Sequence, residues 1–409
     1  MNENIKFETI KKAADIKFKL RNLGSVEKIF SNSPPSVFIG SKLIYPAVNV
    51  GILSPLERDE NAWMYEAEKY WADNNFQIGD ILRLRDSVLN SRFQTTVKQA
   101  RTVNTNSGSQ NKFLNLAKEI ALASKPVDIE IELIRGLNLK RQPDKITLSH
   151  GMNAPLKKAK ITSNVSIPQK IEKVVNDDIK ASEGISYLYQ NGFDEYALNK
   201  ILSIGVLGLK KNKRLVPTRW SITATDDTLG KNLINEIKEY RWLENYELFV
   251  GGFMGNYYLI LFFPGVWSYE LFELYLPGSS WNPSNEIKAS TDYEFYGGRK
   301  TYASSTAGGY YASRFPILEY LKKIKRQASV LAIRLETPSY WAALGVWVVR
   351  ESVRKTLVTN RIQFNDINEL TNSVNQISKN RFKFSSEEIL KKSKLLEQIK
   401  TQRNLLKWV

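Results

Sequence analysis

The stretch from Arg299 to Arg314 carries the residue types that most suggest a binding site. Gly308 and Gly309 precede a predicted helix, and backbone amides at the start of a helix attract phosphate. The two arginines add forked donors that suit phosphate oxygens. Three rings in the same stretch could stack on a base or a nucleotide: Tyr302, Tyr310 and Tyr311. The alternative is a tight turn packed by aromatic side chains.

A second candidate is basic and lies between Gly205 and Trp220. It contains five positive charges and no acid: Lys210, Lys211, Lys213, Arg214 and Arg219. Because Trp220 stands at its end, the segment suits phosphate contact beside a platform for base stacking. The alternative is a solvated lysine loop followed by a buried strand.

An acidic pair, Asp226-Asp227, follows this basic segment. Adjacent carboxylates could hold magnesium, but they point in different directions and no third ligand is evident. We therefore favour a capping role for Asp227 or Thr228 at a helix that starts near Leu229. Weak catalytic candidates are Asp226, Asp227 and Glu294, with Asp292 beside them.

The sequence has no cysteine and one histidine, His150. Disulfides, thiolate metal sites and cysteine nucleophiles are therefore excluded, and so is any mechanism that needs two imidazoles. The lone histidine has no nearby nucleophile, so we assign it no role. We expect no metal and no cofactor, and magnesium enters only if the protein is an enzyme.

The segment Gln402–Val409 has a spacing that suits binding to another protein. Leu405 and Trp408 lie three residues apart, so on a single 3₁₀ turn they would eclipse each other and form one apolar plug. Gln402 could fix the register through its amide group. The alternative is that these apolar residues end an amphipathic helix that docks on the body of the protein.

The formal net charge is +17 over 409 residues. Such an excess favours a polyanionic partner, DNA above all, although a lysine-rich proteome would also produce it. Residues 1–20 lack the apolar core of a secretory signal. The longest apolar run, Tyr257–Phe263, is too short to span a membrane. We therefore expect a cytoplasmic protein with no membrane partner.

Helical and strand patterns mix without a steady alternation of strand and helix, which predicts the α+β class. Residues Val127–Leu133 alternate strictly and predict a half-buried strand. The other predicted strands include Val37–Gly40, Tyr45–Gly51, Tyr246–Val250, Asn256–Phe263, Trp267–Leu276 and Ala328–Glu336. The predicted helices include Lys6–Leu23, Tyr310–Arg326 and Gly345–Leu357.

Composition suggests three parts. Residues 142–170 are rich in Pro, Lys, Ser and Asn, so we place the main domain boundary near residue 150. The predicted domains are residues 1–150 and 151–365, followed by a basic helical tail over residues 366–409. The tail is rich in Asn, Ser and Lys, and we expect it to be a mobile extension rather than part of the core.

The segment Lys213–Gly230 resembles the signature of the archaeal Nre DNA-repair proteins. The segments Ser33–Gly40 and Val48–Gly51 also resemble this family. Further matching motifs are Gly298-Arg299, Gly308–Tyr311 and Leu344–Trp347. The resemblance extends from about Ser33 to Leu357. Beyond it, Gln402–Val409 is similar to the motif by which many replication and repair proteins bind the sliding clamp, PCNA.

This resemblance implies an N-terminal and a C-terminal Nre domain and a role in DNA-damage repair. It also implies that PCNA is bound through Gln402, Leu405, Trp408 and Val409. Val409 is smaller than the second aromatic residue usual in that motif. Many members carry an N-terminal element of four cysteines, which this sequence lacks. If this protein makes the DNA contacts that the four-cysteine element would make, other residues of the chain must make them.

The leading hypothesis is a DNA-repair accessory protein that is recruited to PCNA and whose basic body contacts DNA. The alternative is a metal-dependent nuclease or a nucleotide-processing enzyme, which would need the acidic candidates to converge around magnesium. A third possibility is an interaction scaffold that does not bind DNA. DNA binding whose affinity falls as the salt concentration rises would support the first hypothesis over the third. Whether the protein is an enzyme stays open.

Overall fold

The computed structural model describes residues 27–40, 45–98, 109–135 and 151–401. Three features discussed above lie outside these residues: the predicted helix Lys6–Leu23, His150 and the segment Gln402–Val409. Among the described helices, none has both the length and the apolar character needed to cross a membrane.

The chain divides into two compact units. We call the described residues up to Leu229 the first unit, and the described residues from Gly230 onward the second unit. Each unit contains a six-stranded mixed sheet and helices, which confirms the predicted α+β class and the two-part body. The first sheet includes a strand that begins at Met152, so it draws on both sides of the boundary predicted near residue 150.

The first sheet contains β1 (Lys28–Ser33), β2 (Val37–Ile39), β3 (Ala47–Pro55), β4 (Val88–Thr96), β5 (Val127–Leu133) and β6 (Met152–Ile161). Their order is β1-β5-β6-β4-β3-β2. Only β4 and β6 are parallel among these neighbours. In β5 the apolar residues are buried and the acidic residues between them are not, which confirms the alternation predicted for this strand.

The helices of the first unit are α1 (Glu68–Asp73), α2 (Ile78–Asp86), α3 (Ser109–Leu122), α4 (Gln169–Asn176), α5 (Ala181–Gln190) and α6 (Glu195–Ser203). Short 3₁₀ helices cover Ala62–Glu66 and Lys210–Asn212. The long helix α7, Thr218–Ile237, includes the division between the units. The side chain of Asp194 caps α6 by accepting a hydrogen bond from the amide of Ala197, which satisfies one of the donors left free at a helix start.

The second sheet contains β7 (Tyr246–Phe253), β8 (Asn256–Phe263), β9 (Ser268–Tyr275), β10 (Lys288–Glu294), β11 (Ser329–Glu336) and β12 (Ile362–Phe364). Their order is β10-β9-β11-β8-β7-β12, with β9 and β11 parallel. The accompanying helices are α8 (Ala307–Ile324), α9 (Trp347–Leu357), α10 (Ile367–Phe382), α11 (Glu387–Lys391) and α12 (Lys394–Thr401). The strands and helices predicted between residues 246 and 357 are thereby confirmed.

The central strand β11 is buried along its whole length, and its two faces differ in chemistry. Leu331, Ile333 and Leu335 belong to an apolar cluster with residues of the neighbouring strands. Arg334 and Glu336, which alternate with them, take part in a buried polar network. Successive side chains of a strand point to opposite faces, so this sheet has one apolar face and one face rich in charges and tyrosines.

The expectation that residues after 365 lie outside the core is wrong for residues 366–401. α10 and α12 pack on the apolar face of the second sheet. Their most buried members are Leu370, Val374, Leu395 and Leu396. Helical spacing brings these apolar side chains to one face, so the helices bury it in spite of their basic composition. The predicted helical character of the tail is confirmed.

A buried carboxylate on the apolar face fixes the start of α12. Glu270 of β9 accepts a hydrogen bond from the backbone amide of Leu395 over 3.0 Å and another from the hydroxyl of Ser393. Burial raises the pKa of Glu270, while these donors lower it. Because the amides at a helix start otherwise lack partners, this contact anchors the start of α12 to the second sheet.

Candidate functional site

The predicted basic segment forms an exposed surface on the first unit. We call Lys210, Lys211, Arg214, Arg219 and Trp220 the basic surface; all five are exposed. The side chain of Trp220 is 55% exposed, which is unusual for a tryptophan. Among the described residues, none of the four cationic side chains is in a salt bridge with an acid. The surface is therefore positively charged and carries an open aromatic ring.

Two backbone contacts hold the basic surface against the first unit. Leu215 donates its amide to the carbonyl of Val97, and Val216 donates to the carbonyl of Ser203, over 3.0 and 2.9 Å. The segment also approaches Gly205 closely, and a Cβ there would lie 2.4 Å from the carbonyl oxygen of Arg214. With a φ of +76°, this glycine also has a conformation that other residues rarely adopt.

Lys213 differs from the other cations of the segment because it is partly buried. Its ammonium donates to the carbonyl of Val175 over 2.6 Å. Burial lowers the pKa of Lys213, and the charge of Lys210 lowers it further. The pKa of Lys118 on α3 is also lowered, first by burial and then by the charge of Lys213. Burial is the larger cause in both lysines, and the charge of Asp178 opposes the shift at Lys213.

Helix α7 begins directly after this segment, at Thr218. The amides of Trp220 and Ser221 donate to the carbonyl of Pro217 over 2.8 and 3.0 Å. Arg219 and Trp220 therefore lie in the first helical turn, where the helix dipole favours a negative ligand. A helix thus stands where the alternative interpretation of the sequence placed a buried strand.

The capping role favoured for Asp227 or Thr228 is wrong, because both lie in the interior of α7. The helix starts about ten residues earlier than predicted, since Pro217 fits before a helix start and the apolar positions from Leu229 onward only continue it. The hydroxyl of Thr228 donates to the carbonyl of Ala224 within the helix over 2.7 Å. Asp226 is fully buried, and Asp227 is partly buried.

In the second unit, the structure brings together several candidates from the stretch between residues 299 and 314. Arg299 bonds the carboxylate of Asp292 over 3.2 Å, and its guanidinium lies 5.4 Å from the ring centre of Tyr310. The other oxygen of Asp292 accepts from the amide and the hydroxyl of Thr306, over 2.8 and 3.0 Å. These contacts tie β10 to the start of α8.

Arg314 and Glu294 form a buried ion pair, with 2.7 Å between Nη1 and Oε2 and side-chain exposures of 1% and 0%. The other oxygen of Glu294 accepts from the indole of Trp267 over 3.1 Å. In this arrangement the Arg314 guanidinium faces a carboxylate of the protein itself. The phosphate-binding role of Arg314 stays a prediction.

Of the three tyrosines singled out in the sequence, Tyr310 and Tyr302 lie in different environments. Tyr310 is buried, its hydroxyl has no hydrogen-bond partner among the described residues, and burial raises its pKa well above the usual range. Tyr302 is 54% exposed, and one face of its ring stacks on Tyr311 with 5.5 Å between centroids. The glycines expected before the helix lie inside its first turn, because α8 begins at Ala307.

Two further exposed rings, Phe295 and Tyr296, were not among the candidates from the sequence. Their signal was present in the sequence: an aromatic pair stands directly before Gly297-Gly298, and a glycine pair favours a turn at the surface. The sequence could not show that Lys238 lies over Tyr296, with 4.2 Å from its ammonium to the ring centre.

Within the described ranges, no group of three or more histidine or acidic side chains could hold a metal ion. Asp292 and Glu294 are held by Thr306, Arg299, Arg314 and Trp267. Both carboxylates therefore already serve as acceptors for groups of the protein itself. The arrangement gives no support to the hypothesis of a metal-dependent nuclease.

Two protein-family models together match nearly the whole chain. The family model described as "Archaeal Nre, N-terminal" matches residues 6–282, and "Archaeal Nre, C-terminal" matches residues 294–408. The chain is 40% identical to the DNA repair protein NreA of Haloferax volcanii over 333 residues, which are 80% of this chain and 78% of that protein. It is 37% identical to the DNA repair protein NreA of Archaeoglobus fulgidus, over 83% of this chain and 82% of that protein. The DNA repair protein NreB of the same organism is 34% identical, over 88% of each chain. No solved structure matches the chain.

Proposed function

Because this chain belongs to the archaeal Nre family, we propose that it is a DNA-repair accessory protein that a sliding clamp recruits to DNA. The names of its relatives support the repair role, since three of them are called DNA repair proteins. In this proposal the basic surface contacts the phosphates of DNA, and the segment Gln402–Val409 binds the clamp, PCNA.

The observation that carries DNA contact is the exposure of the basic surface. Lys211, Arg214 and Arg219 reach solvent without an acidic partner among the described residues, so phosphate contact would not break an existing ion pair. Neutralising phosphates releases condensed counterions, which is the main source of affinity for DNA without sequence preference. Trp220 adds a ring that can stack on a base or pack against a sugar.

The clamp-binding part of the proposal rests on the sequence of residues 402–409. Leu405 and Trp408 would fill an apolar groove as one plug, and Gln402 would fix the register at its rim. A tryptophan anchor of this kind often contributes about 2–4 kcal/mol to a small interface. The flanking Arg403 and Lys407 would speed association with an acidic rim.

Attachment to a ring that encircles DNA would raise the local concentration of the body near DNA. The basic surface then needs only moderate affinity of its own. Glu270 anchors α12 to the second sheet, and in the sequence the motif begins at the residue after Thr401.

DNA contact is tested by fluorescence anisotropy with a labelled duplex at several salt concentrations. We expect the double variant Lys211→Ala/Arg214→Ala to bind at least tenfold more weakly. Its slope of log affinity against log salt should fall by about 0.9 for each phosphate that the variant no longer neutralises. The charge-matched control is Lys69→Ala/Lys323→Ala, two exposed lysines outside the basic surface. Equal weakening by both double variants would remove this surface from the proposal.

Clamp recruitment is tested by titration calorimetry with the sliding clamp of the same organism. Trp408→Ala and a deletion of residues 402–409 should abolish or strongly weaken binding. Trp220→Ala is the matched tryptophan control, and it should bind the clamp like the unchanged protein while binding DNA less well. Unchanged clamp affinity in the deletion variant would contradict recruitment through this motif.

A further inference from the structure

The turn after β10 exposes three aromatic side chains on the second unit. Phe295, Tyr296 and Tyr302 are 36%, 46% and 54% exposed. All three lie within eight residues of the chain. Exposed large rings are costly to hydrate, and apolar patches at a surface commonly mark interaction sites. We call these three residues the aromatic turn.

Several hydrogen bonds from Arg299 hold the backbone of the aromatic turn. The guanidinium donates to the carbonyls of Tyr293, Thr301 and Tyr302, over 2.8, 3.2 and 3.2 Å, while it also pairs with Asp292. At the tip, the amide of Gly298 donates to the carbonyl of Phe295 over 2.7 Å. These bonds tie the backbone of the aromatic turn to the end of β10.

The rings themselves are also supported from below. Tyr302 stacks on the buried Tyr311. The hydroxyl of Tyr311 accepts a hydrogen bond from the backbone amide of Ala303 over 2.9 Å. Phe295 packs against Tyr293, with 5.0 Å between ring centroids. Tyr302 and Phe295 are thus each supported by a neighbouring ring, and Lys238 lies over the ring of Tyr296. Rings placed in advance lose little conformational entropy when a ligand stacks on them.

Positive charges surround the aromatic turn. The ammonium of Lys238 lies over Tyr296, and that of Lys394 lies 4.3 Å from the ring centre of Tyr293. Lys300 is exposed within the turn, and the segment from Phe295 to Tyr302 contains no acid. Open rings beside lysines match a ligand with flat aromatic faces and repeated negative charges.

We propose that the aromatic turn binds unpaired nucleotides of single-stranded DNA, by stacking on the bases while the lysines contact the phosphates. The inference rests on the proposed function, because it adds a ligand class to the DNA contact of the protein. In a duplex, each base already stacks on its neighbours, so its faces are closed to an outside ring. Unpaired bases offer those faces, and stacking on aromatic side chains is the usual means of binding them without sequence preference.

The test measures binding of the full chain to a labelled 12-nucleotide single strand, a duplex of equal length, and a single strand whose central nucleotides lack bases. The unchanged protein should bind the complete single strand at least tenfold more tightly than the strand with abasic sites. Tyr296→Ala/Tyr302→Ala should lose about tenfold in affinity for each ring removed, and it should bind the duplex as before. Tyr296→Phe/Tyr302→Phe keeps the rings and should retain the affinity.

The matched control is Phe30→Ala, which removes a 66% exposed ring from the first unit. Thermal unfolding of each variant confirms that it is folded. The inference is overturned by equal single-strand affinity in the double alanine variant, by equal loss in Phe30→Ala, or by an unchanged affinity for the abasic strand. Because the proposed function is tested on the duplex through Lys211 and Arg214, its failure would be seen in a separate measurement.

Discussion

The backbone amide of Ile39 donates a hydrogen bond to Oγ1 of Thr218 over 3.0 Å, although 179 positions separate the two residues. The hydroxyl of Ser203 lies 3.3 Å from the same oxygen. Strand β2 and the end of α6 therefore meet the first residue of α7. This contact joins two of the segments that carry the family resemblance, and it fixes the helical turn that exposes Arg219 and Trp220.

Replacing Thr218 by valine should destabilise the first unit. The change keeps the shape of the side chain but leaves the Ile39 amide without its acceptor, which costs about 1–2 kcal/mol. Urea unfolding followed by circular dichroism measures the loss. Thr228→Val is the matched control, since that hydroxyl donates to a carbonyl within its own helix, and we expect a change below about 0.5 kcal/mol. Similar losses in both variants would contradict the role given to the Ile39 contact.

The buried pair of Arg314 and Glu294 should couple strongly in a double-mutant cycle. Glu294→Gln or Arg314→Met alone leaves one buried charge without its partner and should cost about 3–5 kcal/mol. The double variant removes both charges, so its loss should be far smaller than the sum of the single losses. Additive losses would show that the pair does not interact as described.

A surface pair provides the comparison for this cycle. Glu388 and Lys391 are exposed and one helical turn apart, with 3.3 Å between their charged atoms. Glu388→Gln should change the free energy of unfolding by less than about 0.5 kcal/mol, because water and salt screen exposed pairs.

Gly309→Ala should destabilise the second unit, although alanine usually favours a helix. An added Cβ would lie 2.2 Å from Oε1 of Glu273, and Arg334 holds that carboxylate in place. We expect a loss of about 1–3 kcal/mol from overpacking. In Gly79→Ala the new Cβ meets nothing within 4 Å, so that helix should gain up to about 1 kcal/mol. Thermal unfolding of both variants checks the contrast, and a neutral Gly309→Ala would contradict it.

The stability of the second unit should depend on pH through Glu336. Burial raises the pKa of this carboxyl from 4.5 to about 7, Arg334 opposes the rise, and Glu273 adds to it. The pKa of Glu336 is higher in the folded protein than in the unfolded chain. Its contribution to the free energy of unfolding is therefore fully present below pH 4.5 and is lost as the pH rises to about 7. At about 1.4 kcal/mol per unit of pKa shift, the total loss of stability is on the order of 3 kcal/mol.

Urea unfolding at pH 5, 6, 7 and 8 tests this dependence. Glu336→Gln cannot ionise, so its free energy of unfolding should fall less between pH 5 and pH 8 than that of the unchanged protein. Parallel curves for the two proteins would assign the pH dependence to other groups.

Local sequence patterns predicted most strands and helices of the second unit. The helix beginning near Tyr310 and the strand ending at Glu336 follow from apolar spacing and from nearby glycine and proline, which act over a few residues. The start of α7 was missed, because the acids at positions 226 and 227 look like caps when the preceding turns are not known to be helical. Aspartate and threonine occur both as helix caps and inside helices, and only the hydrogen bonds of the folded chain show which position they occupy.

The sequence by itself determined the class of fold, the family and the positive charge of the segment between Lys210 and Arg219, because these depend on composition and on order along the chain. Only the tertiary structure decided which charges are open to solvent. It buried Arg314 against Glu294, left Lys211 and Trp220 exposed, and placed Leu370 in the core of the second unit. Burial depends on neighbours brought from distant positions, so spacing along the chain alone does not specify it.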